Sequence, residues 1–130
     1  MKLILATMMV VLAGSVLAEE VRKPIFTGQV GSAPVQVMYE YLQNRISNEL
    51  GIGEYQQLVI KQTAAGPENF KQVQIETQLQ GLLDDSVRTQ RFQLSMSFND
   101  ATSVWLIDSV KQDWQCRRGN SRAWTQKPCK

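Results

Sequence analysis

Apolar residues recur at spacings of three and four from Val35 through Met38, Leu42 and Ile46 to Leu50, while Gln36, Gln43, Asn44 and Asn48 take the opposite side. This pattern predicts an amphipathic helix of about five turns. Ser32 offers a side-chain N-cap, Pro34 is tolerated in the first turn, and Gly51 and Gly53 supply the stop. Beyond Gly53 the period moves toward two. Leu58, Val59 and Ile60, within Tyr55 to Gln62, predict a short strand closed by a loop from Thr63 to Pro67.

The next segment alternates cleanly. Val73, Ile75, Thr77 and Leu79 interleave with Gln72, Gln74, Glu76, Gln78 and Gln80, which is the pattern of a strand with one buried and one wet face. A turn follows from Gly81 to Asp85, and a second long strand runs from Ser86 to Phe98. Its phase is broken, because Val87 and Thr89 fall on odd positions and Phe92, Leu94, Met96 and Phe98 on even ones. One extra residue near Gln90 or Arg91 would restore a common inward face, so a bulge is expected there. Asn99 to Ser103 supplies the next turn, and Val104-Trp105-Leu106-Ile107 opens a last strand that continues through Val110 and Trp114 into Cys116.

These elements predict an α+β domain: one N-terminal amphipathic helix packed on an antiparallel meander of about four strands, with a disulfide-closed C-terminal loop. The arrangement looks like the helix cradled by a curved antiparallel sheet in cystatin-type and small nuclear-transport-factor-like domains. That likeness is one of architecture, and architecture carries little about function.

The chain start sets the compartment. Met1-Lys2, the apolar run from Leu3 to Leu12 and the small residues of Val16-Leu17-Ala18 read as a signal peptide cut after Ala18. The apolar run is shorter than the roughly 20 residues that span a membrane, so the exported protein is not expected to be membrane-embedded. Ser15 stands where a bacterial lipoprotein signal would place its cysteine, and the chain has no Asn-x-Ser/Thr sequon. Taking 18 residues from 130 leaves 112, enough for one domain. Residues 19–31 read as an extended or flexible lead-in, with Phe26 folded against the body, and residues 32–130 as the single domain.

Export to an oxidising bacterial periplasm or medium predicts a disulfide between the only two cysteines, Cys116 and Cys129. Zinc wants about four ligands, and a chain without histidine makes a metal site or a metal cofactor a poor fit. No cofactor is expected. The absence of histidine, of a free thiol and of a Gly-x-Ser-x-Gly elbow also argues against nucleophilic catalysis.

Charge sharpens the picture at the C-terminus. From Glu19 to Val110 there are seven basic and eleven acidic residues, a net of −4; from Lys111 to Lys130 there are six basic and one acidic, a net of +5. Arg117, Arg118, Arg122, Trp124 and Lys127 are therefore the candidate binding residues, since arginine beside an aromatic side chain suits an anionic ligand or a partner surface. A structural reading stands beside this one. The disulfide could close a solvated cap worth about 3 kcal/mol in the chain-entropy account, with Trp114 and Trp124 folded back onto a small core. Asp84-Asp85 could open a calcium loop, but adjacent acids in such a turn usually accept backbone hydrogen bonds.

The expected function is thus that of a non-catalytic exported bacterial protein, an accessory subunit, inhibitor or partner that binds another exported or envelope protein, with the basic loop as the candidate surface. The alternatives are a binder of an envelope polyanion (lipopolysaccharide, peptidoglycan or DNA) and, with least support, a small hydrolase.

Overall fold

The computed structural model describes residues 23–130; the expected signal peptide and the start of the lead-in lie outside the described residues. The chain order is β1 (Phe26–Thr27), α1 (Pro34–Ile46), β2 (Gln57–Gly66), β3 (Asn69–Gln80), β4 (Val87–Asn99) and β5 (Val104–Cys116). All neighbouring strands are antiparallel, in the order β1-β5-β4-β3-β2. Strands β2 to β5 form the expected meander. The expectation of four strands with the helix first is corrected, because a short strand precedes the helix and makes a fifth.

That extra strand explains the route of the chain. β1 pairs Phe26 with Ile107 and Thr27 with Leu106 at one edge, and α1 then carries the chain to β2 at the other. Gly28 makes the entry possible. Its N–H donates to the Trp105 carbonyl at 2.8 Å, and a Cβ there would stand 2.5 Å from Val37 Cγ2. Phe26 packs its ring 5.6 Å from that of Tyr41, so the folded-back Phe26 expected from the sequence is present within a strand.

One face of α1 builds the core. Val37, Met38, Leu42 and Ile46 are buried against Val73, Ile75, Leu79, Phe92, Leu94, Met96 and Ile107. Burial of aliphatic side chains of this size contributes about 1.5–3 kcal/mol each, which makes this layer the main source of stability. The helix is shorter than expected, 13 residues, and Leu50 is 76% exposed. Asn48 causes both departures: its Oδ1 accepts the N–H groups of Leu50 at 2.9 Å and Ile52 at 3.0 Å, turning the chain away through Gly51 at φ +77°. Such local side-chain bonds compete directly with helix continuation. The N-cap is Ala33 instead of Ser32, with the Gln36 Oε1 accepting the Ala33 N–H at 2.7 Å.

The bulges differ from expectation too. Registers shift between Val87 and Thr89, where Arg88 is the extra residue, and between Ser95 and Met96, where β5 carries Asp108 in excess. The Arg88 bulge sets Val87 opposite Cys116, in phase with Phe92, Leu94 and Met96, so the expected extra residue is present two to three positions before Gln90 or Arg91 and only Thr89 stays out of phase. Thr89 is buried on the outer face of the sheet, opposite the helix, because the C-terminal loop covers that end. The strand thus has buried positions on both faces.

Candidate functional site

The outer face of the sheet is polar along most of its length. Gln74, Glu76, Gln78 and Gln80 of β3 lie beside Ser95, Gln93, Arg91 and Thr89 of β4, which in turn lie beside Ser109, Lys111, Asp113 and Gln115 of β5. At one end this face meets the segment after Cys116. The disulfide to Cys129 closes the segment with a Cα–Cα distance of 5.4 Å across a separation of 13 residues.

Further contacts hold the loop. Trp114 and Thr125 exchange both backbone hydrogen bonds, at 3.0 and 2.9 Å, so the returning chain adds a short bridge to the β5 edge. Trp114 Nε1 donates to the Lys127 carbonyl at 2.9 Å. The Trp124 ring then covers the Arg91 guanidinium at 3.9 Å. Arg91 is itself fixed by Asp113, with Nε donating to Oδ1 at 2.8 Å and Nη2 to Oδ2 at 2.5 Å, and its Nη1 reaches Glu76 at 3.4 Å. The bond to Asp113 leads the causes that raise the Arg91 pKa above the usual guanidinium value, with the charges of Asp113 and Glu76 adding to it.

The basic residues separate into distinct roles. Arg117 braces the β3–β4 turn, donating from Nε to the Asp84 carbonyl at 2.6 Å and from Nη2 to the Leu82 carbonyl at 2.5 Å. Arg118 donates from Nη1 to the Lys130 carbonyl at 2.7 Å. Arg122 and Lys127 are exposed, and the structure engages only their backbones: their carbonyls accept from Gln115 and Trp114, and the Lys127 N–H donates to Thr125 Oγ1 at 3.0 Å. Lys111 lies beside Trp124 and Lys127 along a shallow groove. The structure therefore places Lys111 and Lys127 along one groove, leaves the Arg122 side chain exposed on the same loop, and draws Arg117 into the scaffold. Trp124 is half-buried and Trp114 likewise, a mixture of the displayed and folded-back readings.

Asp84 behaves as a turn former. Its Oδ1 accepts the N–H groups of Ser86 and Val87, each at 2.7 Å. The Val87 N–H first, then the Ser86 N–H, hold its carboxyl below the ordinary aspartate range, with a smaller contribution from the Arg117 charge.

No family model, curated protein or solved structure matches the chain. Among the described residues no helix is long and apolar enough to cross a membrane.

Proposed function

We propose that this is an exported, non-catalytic binding protein that engages an acidic surface on another exported or envelope protein through a rim of exposed cations, Lys111, Arg122 and Lys127. One observation carries the reading: the loop is fastened by the disulfide and by several contacts to the strands, yet these three cations make no ion pair among the described residues. The staple and the Trp124 stack fasten the loop without using these charges. Cations held on a fixed backbone are preorganised, so less ordering entropy opposes association. The disulfide suits an oxidising compartment, which fits a periplasmic or secreted location.

The test is affinity capture from envelope extract with wild type and the triple variant Lys111→Glu, Arg122→Glu, Lys127→Glu. Surface changes of this kind should move stability by no more than about 0.5 kcal/mol each. Wild type should retain a protein with an acidic patch, the triple variant should lose it, and lysines placed in that patch should restore capture by the variant. Equal capture by both forms overturns the assignment. Salt-steep retention of lipopolysaccharide or DNA with no protein partner would instead make the rim a polyanion site.

A further inference from the structure

A second cationic site lies beside the loop, where the β3–β4 turn, the Arg88 bulge and the exit of β5 meet. Gln56, Gln80, Gly81, Arg88, Thr89, Gln115 and Arg117 line a polar depression of about 440 Å³ there. Local structure explains its shape. Gly81 adopts φ +67°, and the Gln56 side chain lies where a Cβ on residue 81 would be, at 2.7 Å for Oε1. Arg88 is the extra residue of the bulge.

Both guanidinium groups here are held by neutral oxygens alone. Arg88 Nη2 donates to Gln115 Oε1 at 3.0 Å and to the Ser121 carbonyl at 2.5 Å. Arg117 donates to the carbonyls of Asp84 and Leu82. The ion pairs of the described residues are Lys71–Asp100, Arg91–Glu76 and Arg91–Asp113, so neither arginine has a carboxylate in contact. Asp84 lies within Coulombic reach of Arg117, but its Oδ1 is engaged by Ser86 and Val87. Arg88 Nε is buried and has no hydrogen-bond partner. Arg117 is exposed and Arg88 half-buried, but the two guanidiniums share one depression without a carboxylate contact and the buried Arg88 Nε lacks an acceptor, so the site is electrostatically suited to an anionic complement.

We infer that this depression binds a phosphate or sulfate group, as the free ion or as a terminal ester. Two guanidiniums match a dianion in charge, and tetrahedral oxygens suit their forked donors with amide and hydroxyl groups on the remaining sides. Arg88 and Arg117 supply the charge, and Gln56 and Thr89 supply neutral donors. The site adjoins the cationic rim and does not depend on it.

The experiment uses the mature oxidised chain. Thermal melts and calorimetric titrations compare sodium phosphate, sodium sulfate and glycerol 3-phosphate with sodium chloride at equal ionic strength. Saturable stabilisation by several degrees is expected, since a ligand that binds only the folded state raises Tm by mass action. Gln56→Glu places a carboxylate in the depression from an exposed position; it should keep the fold and abolish the response. The rim triple variant should keep the response, which separates this site from the partner surface. Tighter binding of glycerol 3-phosphate assigns the pocket to a phosphomonoester, and tighter binding of inorganic phosphate assigns it to the free ion. An equal shift in chloride, or an undiminished response in Gln56→Glu, overturns the inference.

Discussion

The Trp124 ring lies 3.9 Å from the Arg91 guanidinium and fastens a loop from the end of the chain to the middle of β4. Arg91 has only 15% of its side chain exposed, so the contact is largely desolvated, and cation–π pairs in that setting are worth about 2 kcal/mol. Trp124→Ala should therefore lower unfolding stability by about 2 kcal/mol. Urea melts at fixed pH measure this, and Trp124→Phe should recover part of the loss. A change within experimental error for Trp124→Ala would show that the ring merely rests on the surface.

Below that ring, Asp113 accepts two bonds from Arg91 and keeps 5% of its side chain exposed. Removing one partner of a buried ion pair leaves the other charge unpaired and costs about 3–5 kcal/mol. Asp113→Ala should fall in that range, discounted toward the lower end because Glu76 still faces Arg91 at 3.4 Å. The double change Arg91→Met, Asp113→Leu removes both charges and should be less damaging than Asp113→Ala. A double-mutant cycle in guanidinium chloride tests the ordering.

This pair also marks where sequence reading stops. The core face of α1 and the alternation of β3 were legible because periods of 3.6 and 2 repeat over many residues. β1 has two residues and no period, and only tertiary pairing with β5 defines it. Leu50 continued the helical spacing, but Asn48 redirected the chain with its own side chain. Nothing in the sequence pattern pairs Arg91 with Asp113. Counting back from the Asn99–Ser103 turn puts Arg91 opposite residue 112, and only the Asp108 bulge moves it to Asp113. Register, which composition does not encode, made the difference. The division among the basic residues was equally hidden, since nothing local distinguishes Arg117, bonded across 33 residues to the Asp84 carbonyl, from Arg122.

The shortened helix makes a contrast that a pair of alanine variants can measure. Leu42 is 3% exposed and Leu50 is 76% exposed, although both belong to the same apolar spacing. Leu42→Ala should cost about 2–5 kcal/mol through lost burial and the cavity it leaves. Leu50→Ala should stay within about 0.5 kcal/mol, as for an ordinary surface position. Comparable losses at both sites would mean that the helix extends past Ile46 in solution.

Acid should loosen the β3–β4 turn through Asp84. The Val87 and Ser86 N–H groups hold its folded-state carboxyl below the ordinary range, so the folded chain binds this proton less readily than the unfolded chain. Its contribution is therefore present above the unfolded value of about 3.9 and is lost as pH falls through the lower folded value. Stability measured from pH 5 downward should fall more steeply for wild type than for Asp84→Asn. Identical slopes would mean that these backbone bonds do not favour the charged carboxylate.

The staple offers the last separation of causes. Cys116–Cys129 closes a loop of 13 residues, and a cross-link of that size contributes about 3 kcal/mol by restricting the unfolded chain. The double change Cys116→Ser, Cys129→Ser should thus lower stability by about 3 kcal/mol. The folded loop has other attachments that do not involve sulfur: the Trp114–Thr125 bridge, the Trp114 bond to Lys127, the Trp124 stack on Arg91, and the bonds of Arg88, Gln115 and Gln126 to the carbonyls of Ser121, Arg122 and Gln112. In the folded variant Trp124 should therefore remain docked, with near-ultraviolet circular dichroism and tryptophan emission close to wild type. Adding Trp124→Ala to the double serine variant should loosen the loop, seen as faster amide exchange at Ala123 and Thr125 than in the double serine variant. Loss of docking in the serine variant alone would assign the loop's position to the disulfide and demote the aromatic contact to a bystander.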